Sequence, residues 1–158
     1  MEARLDYFAT PTAGRIAKHF VAAGREIKES PLPAAVQELV ALRVSQINAC
    51  AVCVEMHTKE AAAAGESAVR LNLVATWREA TVFTEAERAA LELAEEGTRI
   101  ADAAGGVSDE VWERAAKHYA EEELISLVSL VAFMNTANRL NVITRQPAGS
   151  YEVGRFQH

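Results

Sequence analysis

The chain has 158 residues, a formal net charge of −6 and a sequence pI near 5.3. Half of its residues are hydrophobic, only 6% are aromatic, and 4 prolines and 8 glycines interrupt it. That length suits one domain with its own core and leaves no room for a second; the alanine-rich, proline-poor balance favours helices over a sheet; and without a basic stripe neither nucleic acid nor an anionic membrane is an expected partner.

Residues 13–27 place Ile16, Phe20, Val21 and Ile27 among Arg15, Lys18, Arg25 and Lys28, a helical pattern with a charged outer face. Ser30-Pro31-Leu32-Pro33 breaks it, and Pro33 suits the first turn of a second helix that runs to Val44 or beyond. The side chains of residues 45–49 compete for backbone hydrogen bonds, and Asn48 is placed to cap a third helix starting near Cys50, which puts both cysteines in its first turn. Gly65 is the expected end of that helix. A short helix over 67–76 follows. Thr84-Glu85-Ala86-Glu87 has capping-box spacing and opens a helix towards Gly97. Gly105-Gly106 marks a loop, and Ser108, followed by Asp109 and Glu110, begins a helix to Tyr119. The last helix, 121–141, is apolar on nearly all sides from Leu124 to Met134 and is expected at the centre or in a subunit interface. Past Pro147 and Gly149 the pattern does not say how the tail is ordered. Seven helices around one core is the expected all-α architecture.

Residues 1–6 lack the apolar run of a signal peptide, and the longest apolar stretch, 125–134, is about half a bilayer span. A soluble cytoplasmic protein is therefore expected. In that reducing compartment a lone cysteine pair is more often catalytic or metal-binding than a structural staple.

The chemistry concentrates in Cys50-Ala51-Val52-Cys53-Val54-Glu55-Met56-His57. At 100° per residue, Cys53 lies about 60° and His57 about 20° from Cys50, so the three share one face and Glu55 points away. Two thiols at this spacing can close a disulfide, and a helix start with a neighbouring base lowers a thiol pKa from about 8.5 into the range of about 3.5–7.5. A bridge enclosing four residues stabilises by roughly 2 kcal/mol at best, so stability alone is a poor reason for the spacing. A tetrahedral zinc site would need four ligands, and no second cysteine pair or His-x-x-x-His completes one. A redox dithiol is favoured, with a metal site and two inert buried thiols left as the other readings.

Glu38 lies on the side of Ala34, Ala41, Leu42 and Ser45 in the second helix; it is either a solvated surface residue or a buried carboxylate that needs a partner such as histidine. His19, His118 and His158 have no partner at functional spacing. Trp77 and Trp112 read as core or interface anchors. The run Glu121-Glu122-Glu123 fits a helix start, and Asn135, Asn138 and Arg139 line either an interface or the site.

The arrangement Glu38, then Ser45-x-x-Asn48-x-Cys50-x-x-Cys53-x-x-x-His57, resembles the core motif (38–57) of the alkylhydroperoxidase D-like branch of the carboxymuconolactone decarboxylase superfamily. Trp77-Arg78-Glu79, residues 83–91 and Asn138-Arg139-Leu140 extend the likeness over most of 7–152. The resemblance implies a single helical domain over 1–158, assembled into a homo-oligomer such as a trimer or a hexamer of dimers. It also implies thiol-dependent reduction of a small hydroperoxide, a peroxidase or antioxidant role. By carry-over, Cys53 is the attacking thiolate, Cys50 the resolving thiol, and His57 with Glu38 a proton relay. No bound cofactor or metal is implied; the reductant is an external dithiol, a lipoyl group or a thioredoxin-like protein. Val52 stands where the best-known members carry a histidine credited with assisting disulfide formation. Two rival readings are a redox-responsive oligomer without turnover and a decarboxylase-type enzyme that uses Glu38 and His57 on a small carboxylic acid.

Overall fold

The computed structural model describes residues 2–6 and 9–155; His158 lies outside the described residues. Among these described residues there are seven helices: α1 (Pro11–Lys28), α2 (Ala34–Ile47), α3 (Ala51–Ala63), α4 (Ala68–Leu73), α5 (Glu85–Thr98), α6 (Asp109–Ala116) and α7 (Glu121–Thr144), with a short 3₁₀ turn, Val74–Thr76, after α4. No strand occurs among the described residues.

Local chemistry explains where most of the helices begin. Thr10 accepts from the Ala13 N–H at 3.1 Å and Pro11 occupies the first helical position, so α1 starts two residues before its apolar pattern does. Ser67 and Ser108 cap α4 and α6, and Thr84 with Glu87 forms the reciprocal box that opens α5. The Ala120 N–H donates to the Glu123 carboxylate at 2.8 Å, giving the acidic run its use at the start of α7. Gly65, at φ 97°, follows α3 in the left-handed conformation that glycine adopts without a Cβ clash. The last helix runs to Thr144, past the expected end at 141, because its stop signal is Arg145 at φ 55° rather than a glycine.

Helix α2 runs through the middle and divides the core. On one side Val36, Val40 and Val44 pack with Ala90, Leu93 and Ala94 of α5 and Leu127, Leu130 and Met134 of α7. On the other, Leu39 and Leu42 pack with Ala61, Leu71, Val74, Trp77, Phe83 and Leu91. Fully burying each such side chain contributes about 1.5–3 kcal/mol, which fixes α2 between its neighbours. Helix α7 is buried along Leu127, Leu130, Val131 and Met134, while Ile125 and Val128 remain exposed. Phe133 stacks on Phe20 at 4.2 Å between centroids and rests over Gly24, where a Cβ would come within 2.9 Å of the ring, so α1 approaches α7 closely there. Trp77 is a core residue; Trp112 is exposed. Among the described residues no helix is long and apolar enough to cross a membrane.

Candidate functional site

The turn from α2 into α3 sets the position of the cysteines. Asn48 is the C-cap of α2, and Ala49 follows at φ 52°. The Cys50 N–H donates to the Ser45 carbonyl at 3.0 Å and the Ala49 N–H to the Gln46 carbonyl at 3.2 Å, the paired closure of a Schellman turn. Here alanine takes the left-handed place that glycine usually fills, at a strain of about 1 kcal/mol. The expected cap of α3 by Asn48 is not formed. Because α2 continues to Ile47, Asn48 belongs to its end, and Cys50 itself is the residue preceding the first turn of α3. No side chain caps the amides of that turn, so their partial positive charge is left beside Cys53 at its third position.

Cys50 and Cys53 are joined as a disulfide, with Cα atoms 5.3 Å apart, and both are buried at 1% and 2% exposure. His57 lies one turn beyond Cys53 on the same stripe of α3. Its Nδ1 stands 2.9 Å from Oε2 of Glu38, which reaches across from α2. Of the two readings of Glu38, the structure gives the paired one; its side chain is 27% exposed and that of His57 12%. A carboxylate accepting from Nδ1–H leaves Nε2 as the basic nitrogen. That atom is buried and, among the described residues, has no hydrogen-bond partner. Two thiols at a helix start with an oriented imidazole one turn on are equipped to exchange electrons and a proton. On the neighbouring stripe of α3, Val54 and Thr58 join Gln46, Leu71 and Ala75 in lining an open groove of about 380 Å³.

Helix α7 supports this turn with carboxamides at three-residue spacing. Asn48 donates to Asn135 Oδ1 at 3.0 Å, and the same oxygen accepts from Arg139 at 2.8 Å. The Asn138 amide, fully buried, lies 3.0 Å from the Asn48 side chain and 3.2 Å from the Ser45 hydroxyl. Asn141 Nδ2 donates to Cys53 Sγ at 3.4 Å. Of the residues singled out in the sequence, Asn135 and Asn138 hold the α2–α3 turn from α7, exposed Arg139 braces Asn135 from outside, and Asn141 joins them at Cys53. The signal for Asn141 was its place three residues after Asn138 on one helix face.

The opposite face of α3 holds the tail. Glu55, which the spacing turned away from the cysteines, accepts from the Gly149 and Tyr151 amides at 2.6 and 3.2 Å and from Lys59 at 2.7 Å. The Lys59 hydrogen bond is the largest cause holding the Glu55 carboxyl below its ordinary range. Glu60 accepts from the Tyr151 hydroxyl and the Gly154 amide. Burial, then the hydrogen bond to Glu60, and then the charges of Glu60 and Glu38 push the Tyr151 phenol well above its ordinary value, so it stays a donor.

Sequence reading also passed over Glu95, which is buried at 7% exposure between Arg43, Arg78 and the Trp77 indole. Arg43 Nε donates to it at 2.6 Å and Trp77 Nε1 at 3.0 Å. Burial alone would raise this carboxyl, but the hydrogen bonds from Arg78, Trp77 and Arg43 outweigh it and hold the group below the usual range. This network ties α2 to α5 and to the segment around Trp77. His19 and His118 take no part in either cluster. Among the described residues no group of three or more His, Cys, Asp or Glu side chains is arranged to hold a metal ion.

The sequence model of the carboxymuconolactone decarboxylase family matches residues 15–96, a span that includes Glu38, Cys50, Cys53 and His57. The uncharacterized protein YdfG of Bacillus subtilis (strain 168) is 33% identical over 150 residues, covering 95% of this chain and 99% of YdfG. Among solved structures, a protein of unknown function from Agrobacterium tumefaciens, put forward as the antioxidant defence protein AhpD, superposes with a TM-score of 0.87 at 34% identity. That match covers 95% of this chain and 100% of the other. An uncharacterized peroxidase-related protein from Silicibacter sp. TM1040 shares the fold at a TM-score of 0.76 and 19% identity, over 98% of this chain and 95% of its own. The chain thus belongs to the carboxymuconolactone decarboxylase family, within the alkylhydroperoxidase D-like superfamily.

Proposed function

We propose that the protein is a dithiol peroxidase that reduces a small alkyl hydroperoxide at the expense of an external dithiol. The observation that carries this reading is the Cys50–Cys53 disulfide at an uncapped helix start, with the Glu38-oriented His57 one turn further on. In the reduced state His57 takes the Cys53 proton. The thiolate attacks the hydroperoxide, the O–O bond breaks, and the sulfur keeps one oxygen as sulfenic acid. The alkoxide that leaves takes the proton back from His57 and departs as the alcohol. Cys50 then attacks the sulfenic sulfur, forming the disulfide and releasing water. An external dithiol, such as a lipoyl group or a thioredoxin-like protein, restores both thiols in two exchange steps and is itself oxidised. None of these steps calls for a bound cofactor or a metal. The groove on the neighbouring stripe of α3, whose lining includes Val54, Leu71 and Ala75 and none of the four site residues, offers apolar side chains that suit an alkyl substituent. Ile125 and Val128 on α7 are exposed apolar side chains that a second copy of the chain would cover; the assembly proposed with this reading is a trimer or hexamer, and its compartment the cytoplasm.

Peroxide consumption measured against a panel of hydroperoxides and dithiols tests the reading. Wild-type protein is expected to turn over, Cys53→Ser to consume nothing above buffer, and Cys50→Ser to form no internal disulfide and to turn over only as fast as the added dithiol reduces the Cys53 sulfenic acid directly. Wild-type protein that consumes no hydroperoxide with any dithiol would overturn it.

A further inference from the structure

The mechanism above leaves one contact unused. Asn141 Nδ2 on α7 donates to Cys53 Sγ at 3.4 Å, and it reaches the sulfur of Cys53 alone among the two. A disulfide sulfur is a weak acceptor, whereas a thiolate receiving the same N–H forms a charge-assisted bond of about twice the strength. The contact therefore favours the state in which Cys53 carries negative charge over the states in which it is protonated or bonded to Cys50. The α7 backbone carrying Asn141 is held in place: Asn138 is fully buried against Asn48 and Ser45, and the Asn141 carbonyl accepts the Gln146 N–H at 2.9 Å in the helix-ending turn. The donor is thus preset and does not have to be recruited when the disulfide opens.

We propose that Asn141 is a positioning residue for the redox step, a fixed donor that makes Cys53 rather than Cys50 the more acidic thiol. The inference rests on Cys53 as the reacting sulfur in the reading above. It has two consequences in the cycle. On the oxidative side, Cys53 is deprotonated at lower pH and attacks first. On the reductive side, an incoming thiolate attacks Cys50 Sγ, the S–S bond breaks, and its electron pair goes to Cys53, whose thiolate the Asn141 amide receives. The better-stabilised thiolate is the better leaving group, so the mixed disulfide with the external dithiol forms on Cys50.

The test reads Cys53 directly and needs no peroxide. In a Cys50→Ser background the rate of alkylation by iodoacetamide is followed against pH, and its inflection is the pKa of Cys53. Adding Asn141→Leu is expected to raise the inflection by about one pH unit, the loss of one charge-assisted hydrogen bond. Asn141→Asp, close to the same shape, is expected to raise it further by placing a carboxylate against the thiolate. A purely structural role for Asn141 would lower the melting temperature and leave both inflections where they were; that result would overturn the proposal. Because no hydroperoxide enters the assay, a protein that fails to turn over peroxide still gives this answer, and an unmoved inflection leaves the peroxidase reading standing.

Discussion

Glu38 shows how a single side chain changes meaning between sequence and structure. Its position among Ala34, Ala41 and Leu42 is equally compatible with a solvated carboxylate and a buried partner, because helical spacing gives a direction but not what lies there. Packing α3 against α2 supplies the missing fact: the Glu38 carboxylate meets His57 at 2.9 Å. Glu38→Gln keeps the shape and removes the charge that stabilises the imidazolium and fixes its tautomer. Hydroperoxide consumption is expected to fall about a hundredfold, the usual worth of a general acid–base group, while peroxide-treated protein still forms the disulfide. A rate equal to wild type would remove Glu38 from the mechanism. Ala49 is the converse case. Nothing about an alanine signals a left-handed residue, so the turn that aims Cys50 was invisible until the backbone was seen.

At the scale of elements, the starts were legible and the ends less so. Helix starts carry side-chain signatures: Thr84 and Ser108 cap where the sequence places them, and Ser67, read as the first residue of its helix, caps α4. Boundaries shift at several places: α1 starts two residues early, α6 stops at Ala116 rather than reaching Tyr119, and α7 overruns its expected end. The ends of α2 and α7 share one cause: both close through non-glycine residues with positive φ, Ala49 and Arg145, which give no compositional signal. With the end of α2 left open past Val44, Asn48 is assigned to the wrong helix. The chemical motif itself was readable because Cys50, Cys53 and His57 lie within eight residues on one helix start, where local geometry suffices. What escaped notice comes from distant chain: Asn141 reaches Cys53 across 88 positions, and the clamp on the tail by Glu55 spans more than 90. Contacts of that range depend on how helices pack, which periodicity alone does not specify.

For the molecule as a whole, stability depends on charge buried away from the site. Glu95 gathers Arg43, Arg78 and Trp77 at the junction of three segments, and Glu87 does the same on a smaller scale for Arg70 and the Thr84 cap. Burial opposes ionisation in both, yet both carboxyls are held below the ordinary range by their hydrogen bonds. A carboxyl whose folded pKa is depressed stabilises the fold above its unfolded pKa, and that contribution is lost as pH falls through the folded value. The fold is therefore expected to weaken on the acid side, below the ordinary glutamate range. Glu95→Gln should cost about 3 kcal/mol at neutral pH by leaving Arg43 inadequately paired, and should flatten the acid limb of a urea-midpoint profile against pH. A midpoint unchanged by the substitution would show that the network contributes nothing net.

All of this scaffold serves one chemical claim, that Cys53 is the sulfur that takes oxygen from a hydroperoxide. The most direct measurement is mass spectrometry of reduced Cys50→Ser protein treated with one equivalent of alkyl hydroperoxide in the presence of a sulfenic-acid trap. The account predicts a trap adduct on the peptide that holds Cys53 and on no other. An unmodified Cys53, with the oxygen found on methionine or nowhere, would contradict it.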